Sequence, residues 1–434
     1  RMTGQVIDIY EQDYIRAWDA ILNDITLVPS KSVAQATETM AIIAGPTSPL
    51  KGFLLVVESN TNLTKPKPGA GKVESAATEA VRATQEQLRK LLGGGAQDSG
   101  SAAARPGTRV ATHFARINQL VAAAPGGGPA AIDGVLAQIG QIQKQLNSVG
   151  SGLGETNALE AVVHSGSGDA LKSLSQQAST LPPPVDGLIA AIAKSSETLT
   201  TGQARGELNN RYEQQVLRDC REIVNGRFPF QPQSAVDVPL ADFGRLFGYG
   251  GLFDTFFKDN LAAVVDTTHT PWTWRSGATG SIAGSASMLR EFEVAQQIRD
   301  MFFRPGGQLP QVQFNVAPSY LGANDTRFVL ELDGQSVEYR HGPERNSPVT
   351  WPGPAPGAAA ISFEDRTGVH PNLSYQGAWA WFRLLDAAAV QPESDVRYRA
   401  TFKAGGSEAR VTIEAASIRN PFAKSALRQF RCAG

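Results

Sequence analysis

The stretch that decides the fold is Met301-Phe-Phe-Arg-Pro-Gly-Gly-Gln-Leu-Pro-Gln-Val-Gln-Phe-Asn-Val316. Before it, from Ser285 to Phe303, large apolar side chains recur every three or four positions, which is the spacing of one helical face. After its glycine pair the spacing changes to two, because Val312, Phe314 and Val316 alternate with polar residues. The sequence therefore predicts a helical region that ends in this stretch and a β-rich domain that begins in it.

The residues that follow are typical of short strands separated by turns. Phe328–Leu332 and Ser336–Tyr339 flank Asp333-Gly334, a pair that favours a two-residue hairpin turn. Further predicted strands are Ala358–Phe363, Val396–Phe402 and Arg410–Ala415. Leu427–Cys432 is predicted to return as an edge strand. Gly377–Ala388 is predicted to be a short helix that covers one end of a small sandwich or barrel.

The chain before this region is predicted to be helical, with breaks of distinctive composition. Residues 93–107 are rich in Gly, Ala, Ser and Pro, which favours a loop or linker. Leu181-Pro-Pro-Pro184 is typical of a stiff, extended spacer and marks a predicted domain boundary. The predicted fold is thus a multi-domain α + β protein, with helical bundles over residues 1–181 and 185–305 and a β-sandwich-like domain over 306–434.

Composition and charge exclude several classes of protein. The 434 residues carry 40 basic and 41 acidic side chains, a formal net charge of -1, which argues against a nucleic-acid-binding protein. No run of apolar residues is long enough for a transmembrane helix. The chain opens on Arg1 without a signal peptide, so we expect it to be a segment of a longer protein. The two cysteines, Cys220 and Cys432, are expected to be free thiols, with a single bridge as the alternative.

No motif for a cofactor, a metal ion or catalysis stands out. Gly69-Ala-Gly-Lys72 resembles a phosphate-binding loop, but Pro66 replaces its first glycine and Val73 follows the lysine. The five histidines have no metal-ligand spacing between them. We therefore predict neither a cofactor nor a metal site, and no enzymatic activity. An enzyme acting on cell-wall or other glycans is the alternative, and its candidate residues are His341, His370, Glu364 and Asp365.

Two segments of the β region are the predicted partner-binding sites. Trp351 and Pro352 lie in a Pro/Gly-rich stretch, residues 346–357, where an aromatic anchor would suit a partner. Packing of Trp351 in the core is the equally open alternative. Asn372 and Tyr375 lie in a second predicted turn. The predicted partner-binding residues are therefore Trp351, Pro352, Asn372 and Tyr375.

An ordered set of motifs from about Arg205 to the end of the chain resembles the C-terminal region of the TssM/IcmF-like proteins of type VI secretion systems. The motifs are Asn225–Phe230, Phe243–Phe247, Gly250–Phe257, Trp272–Trp274, Phe292–Phe303, Tyr339–Pro343, Trp351–Gly353, Gly377–Asp386, Asn420–Phe422 and Phe430–Cys432. The sequence departs from the family pattern at Tyr249 and Ala433, where the family has proline, and at Ala378.

The resemblance implies a non-catalytic scaffold. Such a protein is anchored in the inner membrane, and its periplasmic region binds the outer-membrane lipoprotein TssJ through a C-terminal β-domain. It also implies TssL as a partner and self-association within the membrane complex. The alternative to lipoprotein binding is a homo-oligomerising structural module, in which the helical half stacks on copies of itself.

Overall fold

The computed structural model describes residues 2–65, 106–152, 167–275 and 285–432, apart from Pro125, Val369 and Lys424. Gly69–Lys72 and most of the predicted linker 93–107 lie outside the described residues. The chain forms two compact units, one reaching to Gln203 and the other running from Ala204 onward.

The first unit is entirely helical in the residues described. Its helices are α1 (Met2–Asp24), α2 (Val33–Ala44), α3 (Pro49–Thr61), α4 (Thr108–His113), α5 (Ala115–Val121), α6 (Ala131–Gly152), α7 (Ser167–Ala178) and the first part of α8 (Val185–Tyr212). The hydroxyls of Ser32 and Ser48 begin α2 and α3 by accepting hydrogen bonds from backbone N–H groups, which are otherwise unpaired at a helix start. One apolar core, which includes Met40 and Leu54, joins the helices.

None of the described helices is by itself long and apolar enough to cross a bilayer. Taken together, α2 and α3 have the length and composition of a membrane span, but the two helices are bent by 40° at the break between them. Both helices also place side chains in the core of the first unit.

The structure divides the chain at a different place from the predicted boundary at Leu181–Pro184. Val185, Ile189 and Ile192 are buried in the same core as the preceding helices. The first unit therefore continues through most of α8, and the division falls near Gln203, inside that helix. The proline-rich spacer is a turn within one unit, because the helices before and after it both contribute side chains to the same core.

The second unit begins with helices. After α8, a π-helical turn (Glu213–Leu217) leads into α9 (Arg218–Val224), α10 (Leu240–Phe247) and α11 (Leu252–Phe256). A second π-helical turn (Phe257–Leu261) and the short strands β1 (Val265–Asp266) and β2 (Thr273–Trp274) precede α12 (Ala286–Phe302). The predicted end of the helical region at Phe302-Phe303 is confirmed, because α12 ends at Phe302.

A sandwich of two antiparallel sheets follows. Its elements are β3 (Val312–Leu321), β4 (Asp325–Leu332), β5 (Gln335–Tyr339), β6 (Ser347–Trp351), β7 (Ala358–Asp365), β8 (Asn372–Gln376), α13 (Ala380–Ala387), β9 (Ala389–Pro392), β10 (Arg397–Ala404) and β11 (Ser407–Ala415). One sheet has the order β6-β3-β11-β10-β9 and the other β5-β4-β7-β8. The predicted hairpin is confirmed, since Leu332 pairs with Gln335 around Asp333-Gly334.

The C-terminal segment corrects two predictions. It forms a 3₁₀ turn (Pro421–Ala423) and α14 (Ser425–Gln429) rather than an edge strand. Phe430 then packs against Phe230, Phe247 and Phe253, and this contact brings the chain end to the helical part of the unit. As a result Cys432 meets Cys220 of α9 in a disulfide, so the prediction of free thiols is wrong.

Removing this disulfide is expected to destabilise the second unit. The bond closes a loop between residues 212 positions apart, and Cys220→Ser should lower the free energy of unfolding by about 2–5 kcal/mol. Guanidinium unfolding followed by tryptophan fluorescence reports mainly on this unit, because only Trp18 lies outside it. The double variant Cys220→Ser/Cys432→Ser should have the same free energy of unfolding as the single variant. An unchanged unfolding midpoint, or two thiols titrated in the native protein, would contradict the assignment.

Candidate partner-binding surface

Asp237 connects the helical part of the second unit to the sandwich. Its carboxylate accepts a hydrogen bond from the backbone N–H of Trp379 at 3.1 Å and from Nε of Arg383 at 3.1 Å. The indole Nε1 of Trp379 donates to the carbonyl of Val238 at 2.7 Å. Both Asp237 and Arg383 are largely buried, with 16% of each side chain exposed, so the pair is shielded from solvent. The start of α13 is therefore fixed to the loop that precedes α10.

Trp351 lies in the aromatic core around this contact. It is the last residue of β6, and 1% of its surface is exposed. Its ring lies 5.0 Å from that of Trp379 and 4.8 Å from that of Phe382, between ring centroids. The predicted position of Trp351 in a loop is wrong, because the residue ends strand β6. Its ring contacts Phe302 of α12 and Phe382 of α13. Its indole is thus part of the core, the alternative that the sequence left open.

The loop after Trp351 is held by one buried carboxylate. Asp333, 3% exposed, accepts hydrogen bonds from the backbone N–H groups of Gly353 (3.2 Å), Gly357 (2.8 Å) and Ala358 (3.2 Å). A Cβ at Gly353 would lie 2.7 Å from the carbonyl oxygen of Asp333, so only glycine fits there. Pro352 is half-buried in this loop. The loop is consequently a fixed part of the sandwich surface.

Asn372 and Tyr375 lie in a strand, β8, rather than in a turn. β8 is an edge of the four-stranded sheet, and β7 is its one partner among the strands that the structure describes. Asn372 is exposed and Tyr375 half-buried. The loop that contains Pro352 ends at Ala358, which pairs with Gln376 of β8. Pro352 and Tyr375 therefore lie toward the same end of the sandwich, whereas Asn372 lies at the other end of the strand.

Three of the four candidate residues of the alternative enzyme hypothesis have structural contacts. Nε2 of His341 lies 2.6 Å from the carbonyl oxygen of Asp325, and Glu364 forms an ion pair with Arg327 at 2.8 Å. Arg327 also lowers the pKa of Glu338, through a hydrogen bond to that carboxylate. Asp365 accepts a hydrogen bond from the backbone N–H of Thr367 at 2.8 Å, and His370 is exposed.

One group of side chains in the described part of the chain has the spacing of metal ligands: Cys220, Glu291 and Cys432. The two sulfur atoms are joined to each other, so they are not thiolate ligands. Glu291 is 4% exposed and accepts a hydrogen bond from the hydroxyl of Tyr212. Burial raises the pKa of Tyr212, and the charge of Glu291 adds to the effect. The arrangement is that of a structural contact between α8, α9, α12 and the chain end.

Comparison with known proteins identifies the parts of this architecture. Family models match residues 1–62 (IcmF-related, "Intracellular multiplication and human macrophage-killing"), 203–308 ("Type VI secretion protein IcmF helical domain") and 314–417 ("Type VI secretion protein IcmF C2-like domain"). The type VI secretion system component TssM1 of Pseudomonas aeruginosa (strain PAO1) is 34% identical over 427 residues, which are 95% of this chain and 38% of that protein.

Two solved structures share the fold. A chain of a "Type VI secretion system membrane core complex" aligns with a TM-score of 0.63 at 17% identity, over 100% of this chain and 84% of that one. A chain of a "Type VI membrane complex" aligns with a TM-score of 0.60 at 17% identity, over 99% of this chain and 84% of that one.

Together the fold and the matched models define a multi-domain α + β secretion protein, in which helical domains precede a C2-like sandwich. The chain belongs to the TssM/IcmF family of type VI secretion proteins and carries the C-terminal region of that family. It spans 38% of the length of the curated relative. The match over residues 1–62 extends the family assignment to α1, α2 and α3 of the first unit.

Removing the Asp333 carboxylate is expected to free the loop over residues 352–357. Asp333→Ala leaves three backbone N–H groups without their acceptor, which should lower the free energy of unfolding by about 3 kcal/mol. Denaturant unfolding gives this value, and faster amide exchange at Gly357 and Ala358 localises the effect. Glu344→Ala removes an exposed carboxylate of the same sandwich and serves as the control. Equal stability of the two variants would contradict the assigned role of Asp333.

Proposed function

We propose that this chain is a periplasmic scaffold segment of the type VI secretion membrane complex, and that its C2-like sandwich binds the outer-membrane lipoprotein TssJ. The observation that carries the proposal is the 34% identity to a TssM1 component over 95% of the chain. In this proposal the remainder of the protein provides the inner-membrane anchor and the contact with TssL.

The contacts within the second unit support a role in transmitting force. A protein that links two membranes has to transmit a displacement from one end to the other without unfolding at its domain junctions. Here the Asp237–Arg383 ion pair joins the loop before α10 to α13, and the disulfide of Cys220 and Cys432 joins α9 to the chain end. The guanidinium of Arg383 also lies 4.1 Å above the centre of the Phe228 ring.

Exposed apolar side chains on α1 favour self-association as a second function. Val6, Ile9 and Tyr10 are 64%, 60% and 68% exposed, and their spacing places them on one face of the helix. An exposed apolar face of this kind is typical of a contact with another protein surface. The resemblance of the fold to chains from multi-subunit complexes is consistent with a second copy as that partner.

The lipoprotein-binding proposal predicts a stable complex of residues 1–434 with TssJ that lacks its acyl chain. Sedimentation velocity and titration calorimetry of the two purified proteins should show a complex, because a sandwich surface can supply the roughly 800 Å² per partner of a specific interface. The absence of a complex at the highest soluble concentrations would refute the proposal.

The double variant Ile9→Asp/Tyr10→Asp separates the two functions. It adds charge to the exposed face of α1 and should reduce self-association in sedimentation experiments. Binding of TssJ should stay unchanged, because the substituted residues belong to the first unit. Loss of TssJ binding in this variant would indicate that the lipoprotein binds to the helices and not to the sandwich.

A further inference from the structure

The sandwich has four edge strands, and three of them carry features that oppose pairing with a further strand. β5 contains Glu338, whose carboxylate pairs with Arg327 and Arg340. β9 is four residues long and ends in Pro392, which has no N–H group. Charges, prolines and short length are the usual means by which an edge strand is protected from other chains.

The edge strand β6 is protected in two ways. Pro348 lies within it. In addition, the side-chain amide of Gln335, which reaches across from β5, bonds to both backbone groups of Thr350. Its Nε2 donates to the Thr350 carbonyl at 2.8 Å, and its Oε1 accepts from the Thr350 N–H at 2.9 Å. A side chain thus occupies the backbone groups that another strand would need.

β8 has none of these features. Its sequence, Asn372-Leu-Ser-Tyr-Gln376, is five residues long, uncharged and free of proline. Every side chain in it is exposed or half-buried. Leu373 and Tyr375 lie opposite the buried residues Ile361 and Ala359 of β7, so their side chains extend the apolar face of the sheet to its edge.

The register shows which backbone groups of β8 point away from β7. The N–H of Phe363 donates to the carbonyl of Pro371 at 3.0 Å, and the N–H of Gly377 donates to that of Gly357 at 2.9 Å. Hydrogen-bonded positions alternate along an antiparallel strand, so Leu373 and Tyr375 also bond to β7. The N–H and C=O groups of Asn372, Ser374 and Gln376 therefore point outward, and no described residue pairs with them.

We infer that β8 receives an extended strand of a partner protein, which adds a fifth strand to the four-stranded sheet. The occupant is an uncharged segment with apolar side chains at alternate positions, because Leu373 and Tyr375 provide an apolar face and β8 itself carries no charge. Main-chain hydrogen bonds at Asn372, Ser374 and Gln376 would hold it in register. This inference rests on the proposed function: the strand belongs to the lipoprotein that binds the sandwich.

Ser374→Pro tests the inference directly. Proline removes an N–H that points outward and leaves the bonds between β8 and β7 in place, so the sheet should stay folded. Ser374→Lys adds a charge to the same edge. Both variants should bind acyl-free TssJ about tenfold more weakly or worse in calorimetry, whereas Ser374→Thr should bind like the unmodified chain. Circular dichroism and the unfolding midpoint of each variant check that it is folded.

Residue-resolved amide exchange gives a second readout that needs no substitution. When TssJ binds, exchange should slow at Asn372, Ser374 and Gln376 and change little at Leu373 and Tyr375, which are already bonded to β7. This alternation distinguishes strand addition from a surface that is merely covered, which would slow neighbouring positions alike.

The outcomes separate the inference from the function on which it rests. If the unmodified chain does not bind TssJ, the proposed function fails. If TssJ binds the Ser374→Pro and Ser374→Lys variants as tightly as the unmodified chain, strand addition at β8 is refuted while lipoprotein binding stands. If these variants instead lose only a self-dimer, the occupant of β8 is a second copy and the assigned partner is wrong.

Discussion

The carboxylate of Asp237 is the group on which the second unit depends. It accepts from the Trp379 backbone and from Arg383, and it lies so close to Gly377 that a Cβ there would be 2.3 Å from one of its oxygens. Gly377 also has φ +108, a conformation that favours glycine. A single acidic side chain from the helical part thereby sets where β8 ends and where α13 begins.

The aromatic core follows from that placement. Because Asp237 holds the start of α13 in place, Trp379 lies between Phe243 of α10, Phe302 of α12 and Trp351 of β6. Aromatic pairs of this kind each add about 0.5–1.5 kcal/mol beyond the area that they bury. The helical domain and the C2-like domain are matched by separate family models, yet in this chain they share one core. The sandwich therefore depends on the helices before it for part of its core.

The features predicted correctly are those determined by residues that are close together in the sequence. The change of period after Phe303 and the Asp333-Gly334 turn both depend on neighbouring residues, and both are seen in the structure. The disulfide could not be predicted in this way, because the two cysteines meet only through the packing of Phe430. The turn predicted at Asn372–Tyr375 is a strand instead. Asn and Ser are turn-forming residues, but pairing with β7 outweighs that preference.

The position of β8 determines which contacts would transmit a force from a bound partner. The strand is paired with β7 on one side, and its last residue is followed by Gly377, which Asp237 and the Trp379 contact hold in place. A rigid edge loses little conformational freedom when a partner binds, so more of the interaction energy is retained as affinity. A pull on a strand added there would pass through two consecutive residues, Gly377 and Ala378, into the Asp237 contact and thus into the helical part. In the proposed scaffold, the open edge and the Asp237 contact would therefore lie on one continuous path from the partner to the helical part.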